Sequence, residues 1–189
     1  YGEGGNHFLA AVRRNINLTL VVHDNQVYGL TKGQASPTSE QGFVTKTQPH
    51  GVFSAPFNPV AVAVAMHAGF VARGFSGEIE ALAGLIAQGI AHPGFALVDV
   101  LQPCVSFNKV NTFSWYRKRC APLPPEYDPT DWDAAVHTAA EWGERIPVGV
   151  IYRNDRPCFE SHFPVLDTRP PAYGSVDRDA LREIIKAMG

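Results

Sequence analysis

The sequence predicts an α/β fold, a mostly parallel sheet flanked by helices. Two observations carry that prediction. Residues 18–22 (LTLVV) and Phe95–Leu101 (FALVDVL) are short, β-branched-rich apolar runs without polar alternation, as expected of strands covered on both faces. Stretches with apolar residues at helical spacing separate the strand-like runs, which is the order of a βαβ repeat. With 189 residues, 45% of them apolar, the chain has enough material for one substantial core.

The elements follow in order. Residues 4–14 (GGNHFLAAVRR) place Phe8, Leu9 and Val12 on a weak helical face and end in two arginines, which suit a helix C-terminus. Asn15-Ile16-Asn17 turns into the first strand. Residues 24–57 are then rich in Gly, Thr, Ser, Gln and Pro. So long a connection in a compact domain is often functional, and this one leaves the carboxyl end of a strand, where open α/β sheets bind ligands. Much of 31–56 is expected to be mobile. Asn58-Pro59 starts a helix to about His67, with Pro in the first turn. Residues 70–72 make a short strand. Ser76 with Glu78 opens a helix to about His92, which Pro93-Gly94 ends. Beyond Cys104 come Trp115, Tyr116, the basic run Arg117-Lys118-Arg119 and a Pro-rich bend at 122–125. Asp131 caps a helix to about Trp142 that carries Trp132 and Trp142 into the core. Residues 147–152 (PVGVIY) read as a last strand, and 177–188 as a closing helix behind a surface tail that begins beyond Asp167.

Composition excludes several classes of function. Sixteen Lys+Arg against 18 Asp+Glu give a formal charge of −2, so no whole-molecule field recruits nucleic acid or an anionic membrane. The basic residues at 109 and 117–119 are too few and too mixed for nucleic-acid binding. The longest apolar run, around residues 60–66, is far shorter than a membrane span. Three cysteines, at 104, 120 and 158, cannot all pair, which suits a reducing cytoplasm.

The segment Asp24-Asn25-Gln26-Val27-Tyr28-Gly29-Leu30-Thr31-Lys32-Gly33-Gln34 directly follows LTLVVH. A carboxamide at the lip of a strand offers a neutral oxygen to a hard cation, and a nearby main-chain carbonyl offers another; magnesium uses such oxygens to bridge protein and phosphate. Gly29 and Gly33 allow close approach of the backbone to a diphosphate, and Thr31 and Lys32 add a hydroxyl and a cation. An Asx turn at a strand end with a solvated Lys32 accounts for the same residues equally well.

The run NHFLAAVRRNINLTLVVHDNQVYGLTKGQASPTS closely resembles the thiamin-diphosphate-binding region of the β subunit of 2-oxoacid:ferredoxin oxidoreductases. The similarity continues through FNPVAVAVAMHAGFVARGF, ALVDVLQPCVSFNKVNTFSWY and IPVGVIYR. The resemblance implies a partial thiamin-diphosphate-binding domain over residues 1–153, with residues 24–57 as its cofactor loop, and a C-terminal extension and helix over 154–189. It implies that Asn25 and the Val27 carbonyl hold the magnesium of the cofactor diphosphate. Gly29 and Leu30 would lie against thiamin diphosphate, with Thr31 beside the diphosphate. Leu30 and Lys32 would face substrate, Lys32 meeting the distal carboxylate of a 2-oxoacid such as 2-oxoglutarate. No residue is assigned to the chemical step itself. Implied partners are an α subunit that completes the active site, ferredoxin, a 2-oxoacid and coenzyme A.

The sequence also departs from the family. A Gly-Asp-Gly motif supplying the magnesium aspartate is expected a few residues before Tyr1, and Gly2-Glu3-Gly4 lies too close to His7 to replace it. Glu3 is read as an acid of the first helical turn, His7 as a packed or capping histidine, and His23 as a strand-end residue near the site. In the family, the cysteine of LxPCVxFN, here Cys104, is the fourth ligand of a four-iron, four-sulfur cluster, and Cys120 and Cys158 do not stand where the other three belong. Cys120 follows a basic run that would depress its pKa, but reads better as a partly exposed spectator. The chain is therefore expected to be the C-terminal portion of such a protein, acting in the full complex but inactive and without retained cofactor when isolated. A pyruvate- or arylpyruvate-specific member and an inactive fragment that keeps the fold are the alternatives.

Overall fold

The computed structural model describes residues 1–163 and 176–188. Its main sheet has the order β1-β5-β4-β7-β6, with β1 at Leu18–Asp24, β4 at Phe70–Phe75, β5 at Phe95–Leu101, β6 at Cys120–Pro122 and β7 at Ile146–Arg153. Strands β1, β5 and β4 run parallel, β7 runs antiparallel to β4, and β6 runs parallel to β7. The two remaining strands, β2 (Val27–Tyr28) and β3 (Gln34–Ala35), form a small hairpin inside the 24–57 loop.

Helices α1 (Gly5–Arg14), α2 (Pro59–Ala65) and α5 (Trp132–Ala140) cover one face of the sheet, and α3 (Ile79–Ala91) covers the other. Strand parity follows. Val71, Phe95, Leu97 and Ile151 join Phe8, Val12, Val60 and Val64 on the first face. Phe70, Ala72, Ala96, Val98 and Val100 meet Leu82, Leu85 and Ile86 on the second. A short helix, α4 (Phe113–Arg117), packs Tyr116 under the carboxyl end of the sheet, against Phe75 and Leu101.

Local chemistry sets the boundaries. The Asn58 side chain caps α2 by accepting from the Ala61 N–H at 2.9 Å, and Asp131 caps α5 through the Ala134 N–H at 3.0 Å. Helix α1 ends on Asn15 in the left-handed region, φ 53°. Asn15 then ties the amino end of the sheet together, donating to the Arg156 and Pro157 carbonyls and accepting from the Phe95 N–H. Gly94 has to be glycine beside it: φ is +117°, and a Cβ would stand 2.7 Å from the Asn15 amide.

Several expectations need correction. β5 is buried at every position, as its sequence predicts, but β1 is an edge of the sheet and only half covered, with Leu18 41% exposed. An apolar run reports a wish to be buried; strand order decides whether it is. The strand expected at 70–72 extends to Phe75 because its two polar-looking positions, Arg73 and Gly74, are also buried. Neither Ser76 nor Glu78 caps α3 with its side chain. Trp142 lies beyond the end of α5 but packs against the Phe75, Leu101, Tyr116 and Ile146 cluster, whereas Trp132 is 37% exposed, stacked on His67 and donating to the Val64 carbonyl. His7 is exposed, and no side chain caps α1. The loop has internal order: Thr38, Ser39 and Thr45 are buried, and Ser39 donates to the Gln26 carbonyl. The closing helix, α6 (Arg178–Met188), forms as expected, whereas the surface tail from Asp167 falls mostly outside the described residues.

Candidate functional site

The site lies at the carboxyl end of β1. A cavity of about 390 Å³ is lined there by His23, Asn25, Val27, Gly29, Leu30 and Thr31, among others, with Tyr1 and Thr38 in its wall. The structure therefore brings together all the predicted cofactor residues. The side chain of His23 contacts that of Gln102 at the rim. Lys32 does not line the cavity. It is exposed, with φ +74°, and makes no ion pair among the described residues. Leu30 is fully exposed at the mouth.

The turn itself is an Asx turn: Asn25 Oδ1 accepts from the Val27 N–H at 3.1 Å. This bond fixes the carboxamide on the same side of the turn as the following residues and leaves the oxygen a second lone pair. Asn25 and Val27 thus supply two neutral oxygens of the kind magnesium accepts, but no charge. The nearest carboxylate, Asp24, points inward and is occupied, accepting from Thr38 Oγ1 at 2.6 Å and from the Gln26 N–H at 3.2 Å. Gly29 suits close approach, and the Cβ it lacks would lie 3.8 Å from Cys104 Sγ.

Beneath this turn is a feature that motifs do not reveal. Arg73 on β4 and Asp99 on β5 are register partners on two buried strands, at 1% and 2% exposure. With Asp24, Gln26, Thr38 and Trp142 they line a cavity of about 220 Å³. Arg73 donates to the Ala139 carbonyl at 3.0 Å, while its Nε, Asp99 Oδ1 and Gln26 Oε1 have no protein partner. Burial raises the Asp99 pKa well above the usual carboxylate range, with the Asp24 charge adding to it and Arg73 opposing. Burial also raises Asp24, against the hydrogen bonds from Thr38 and Gln26 and the Arg73 charge. A signal for this pair is present in the sequence: FVARGF and FALVDVL each carry a single charge in an otherwise buried strand.

Cys104 stands just past β5, half-buried, and is a free thiol like Cys120 and Cys158. Among the described residues no three His, Cys, Asp or Glu side chains converge as a metal cluster site. One thiolate does not fit a four-iron cluster by itself, so these residues alone do not complete that centre. Cys120 is corrected in sign: burial pushes its thiol up to about 11, overriding the nearby Arg73. Of the neighbouring cations, Arg119 pairs with Glu144 and stacks on Trp115. A larger apolar groove of about 570 Å³ along α3 and β7 holds none of the predicted site residues.

The fold is an α/β domain with a carboxamide turn over a cavity at the end of a parallel strand, and comparison with known proteins gives its class. The thiamine pyrophosphate enzyme C-terminal TPP binding domain matches residues 1–100, and the chain belongs to that family. Residues 104–168 match the C-terminal part of the pyruvate ferredoxin oxidoreductase β subunit. More particularly, the chain matches a C-terminal portion of the β subunits of 2-oxoacid:ferredoxin oxidoreductases. The β subunit from Sulfolobus is 40% identical over 200 residues, covering 100% of this chain and 64% of that protein. The 2-oxoglutarate oxidoreductase subunit KorB of Mycobacterium tuberculosis is 47% identical over 118 residues, 62% of this chain and 31% of its own length. Among solved structures, a 2-oxoglutarate:ferredoxin oxidoreductase from Magnetococcus marinus, with 2-oxoglutarate, coenzyme A and succinyl-CoA bound, superposes with TM-score 0.85 at 34% identity, covering 96% of this chain and 62% of that one. The chain thus spans under two thirds of the length of these relatives. Among the described residues no helix is long and apolar enough to cross a membrane.

Proposed function

We propose that this chain acts as part of the β subunit of a 2-oxoacid:ferredoxin oxidoreductase, oxidatively decarboxylating 2-oxoglutarate to succinyl-CoA and CO2 and passing two electrons to ferredoxin. The observation that carries this reading is the Asn25–Val27 turn, set over the cavity at the end of β1 in a chain whose relatives have that name. Thiamin diphosphate, when bound, supplies the carbanion chemistry of such enzymes. Asn25 Oδ1 and the Val27 carbonyl would hold magnesium, Gly29 and Leu30 would lie against the cofactor, and Thr31 would stand beside its diphosphate. Leu30 shapes the substrate pocket and Lys32 binds the distal carboxylate. The open mouth of the cavity, where Leu30 is exposed, is covered by an α subunit, and the complex works in the cytoplasm. Cys104 contributes one thiolate to an iron–sulfur centre completed by residues other than those described.

The test is turnover by the complete complex with coenzyme A and oxidised ferredoxin. Lys32→Ala is expected to raise KM for 2-oxoglutarate tenfold or more while leaving KM for pyruvate within about twofold, the signature of a lost ion pair to substrate. A clear preference of the unaltered enzyme for pyruvate or an arylpyruvate over 2-oxoglutarate would instead support a pyruvate- or arylpyruvate-specific member. The engagement of Asp24, the carboxylate beside Asn25, with Thr38 and the Gln26 N–H favours a second reading for the isolated chain, a folded portion that binds no cofactor. Saturable micromolar binding of thiamin diphosphate with magnesium, measured by calorimetry on that chain, would defeat it.

A further inference from the structure

Glu40 belongs to no motif, yet it joins three separate parts of the fold. Its Oε1 accepts from Asn111 Nδ2 and from Trp142 Nε1, each at 3.2 Å. On one side, its neighbour Ser39 donates to the Gln26 carbonyl, inside the Asn25–Val27 turn. On the other, Asn111 accepts from Asn108 Nδ2 at 3.0 Å, and the Asn108 N–H donates to the Cys104 carbonyl at 3.1 Å. Asn108 and Asn111 are both buried at 2% exposure, so these bonds are shielded from competing water. An apolar seam runs alongside: Gly33 has φ +86°, and a Cβ there would stand 2.7 Å from the Phe107 ring.

We infer that Glu40 is a positioning residue that clamps the Cys104 segment to the cofactor loop, so that occupancy of the Asn25–Val27 site is felt at Cys104. The coupling rests on the cofactor assignment proposed above; the clamp itself does not. Because both donors converge on one oxygen, the clamp requires an acceptor and not a charge. By linkage, whatever orders the loop orders the Cys104 segment, and the reverse.

Hydrogen exchange of the full-length protein in its complex tests this. Glu40→Ala is expected to speed exchange at residues 108–112 about tenfold without changing α3 or β4, whereas Glu40→Gln, whose amide oxygen still accepts, stays within about twofold. Asn111→Ala should repeat the Glu40→Ala pattern and carries the test should that variant not fold. Adding thiamin diphosphate and magnesium should slow exchange at 25–31 in every variant, but at 108–112 only in the unaltered protein and in Glu40→Gln. Unchanged exchange at 108–112 in Glu40→Ala and Asn111→Ala, or Glu40→Gln behaving like Glu40→Ala, overturns the inference. If the cofactor slows exchange at 25–31 but not at 108–112 in the unaltered protein, the coupling is overturned. If it protects neither segment, the cofactor assignment fails with the coupling, and the ligand-free exchange still decides the clamp.

Discussion

The two ends of the sheet treat buried polar groups differently. At the amino end, Asn15 is 1% exposed, and both ends of its carboxamide are used on main-chain partners from β5 and from the segment after β7. Neighbours there are less complete, since His92 Nε2 and Arg156 Nε lack partners, but no unpaired carboxylate is buried with them among the described residues. At the carboxyl end, Asp24, Arg73 and Asp99 are likewise buried, and unpaired atoms belong to Arg73, Asp99 and Gln26, which line a cavity under the Asn25–Val27 turn. Satisfied polar groups specify a fold; buried groups with perturbed protonation next to a cavity are candidates for a site. The amino end holds the chain together, and the carboxyl end keeps titratable groups buried beside a cavity under Asn25.

Removing the cation is the severest challenge to this contrast. Arg73→Met strands the Ala139 and Pro147 carbonyls and removes the positive charge that opposes the raised pKa values of Asp24 and Asp99, so a loss of about 3–5 kcal/mol is expected in urea denaturation. A loss under about 1 kcal/mol would mean that the guanidinium does not hold the carboxyl end together. The amino end should respond next. Asn15→Ala strands the Phe95 N–H and the carbonyls of Arg156 and Pro157, for about 2–4 kcal/mol in the same assay. The contrast sharpens if thiamin diphosphate affinity of the complex changes in Arg73→Met and stays unchanged in Asn15→Ala.

Much of this is legible in the sequence, for identifiable reasons. The turn proposed to hold the cofactor is contiguous, Asn25 through Thr31, so local geometry and family resemblance both reach it. Strand β5 announces itself because a central strand must be apolar on both faces. Strand β1 looks the same and is an edge, since strand order depends on pairings that no local run encodes. Arg73 and Asp99 are 26 positions apart, as their numbers show, and acquire meaning only when β4 and β5 align them. Glu40 is more remote still, 71 positions from Asn111 and 102 from Trp142, and nothing in its own neighbourhood marks it. The antiparallel course of β7 is equally hidden, because a strand's direction depends on where the chain re-enters the sheet.

The smallest expected effect concerns pH and separates the two ends without disturbing the fold. Burial holds the Asp99 carboxyl protonated in the folded state at pH values where it is ionised in the unfolded chain. The folded state then binds more protons, so stability falls as pH rises above the ordinary carboxylate value and levels off only past the raised folded value. One such proton is worth about 1.4 kcal/mol per pH unit over that window. Asp99→Asn replaces the group with a neutral one of the same shape, so the decline above the ordinary carboxylate value should flatten by up to that slope, and Asp24, also raised, should retain the remainder. Asn15→Ala, which carries no titrating group, should shift the whole stability curve down and leave its slope alone. Denaturant midpoints measured across about pH 4.5–8 for the three proteins distinguish these outcomes. Parallel curves for Asp99→Asn and the unaltered chain would show that Asp99 is ionised in the fold, balanced by Arg73, and that the carboxyl end is a satisfied ion pair rather than a poised one.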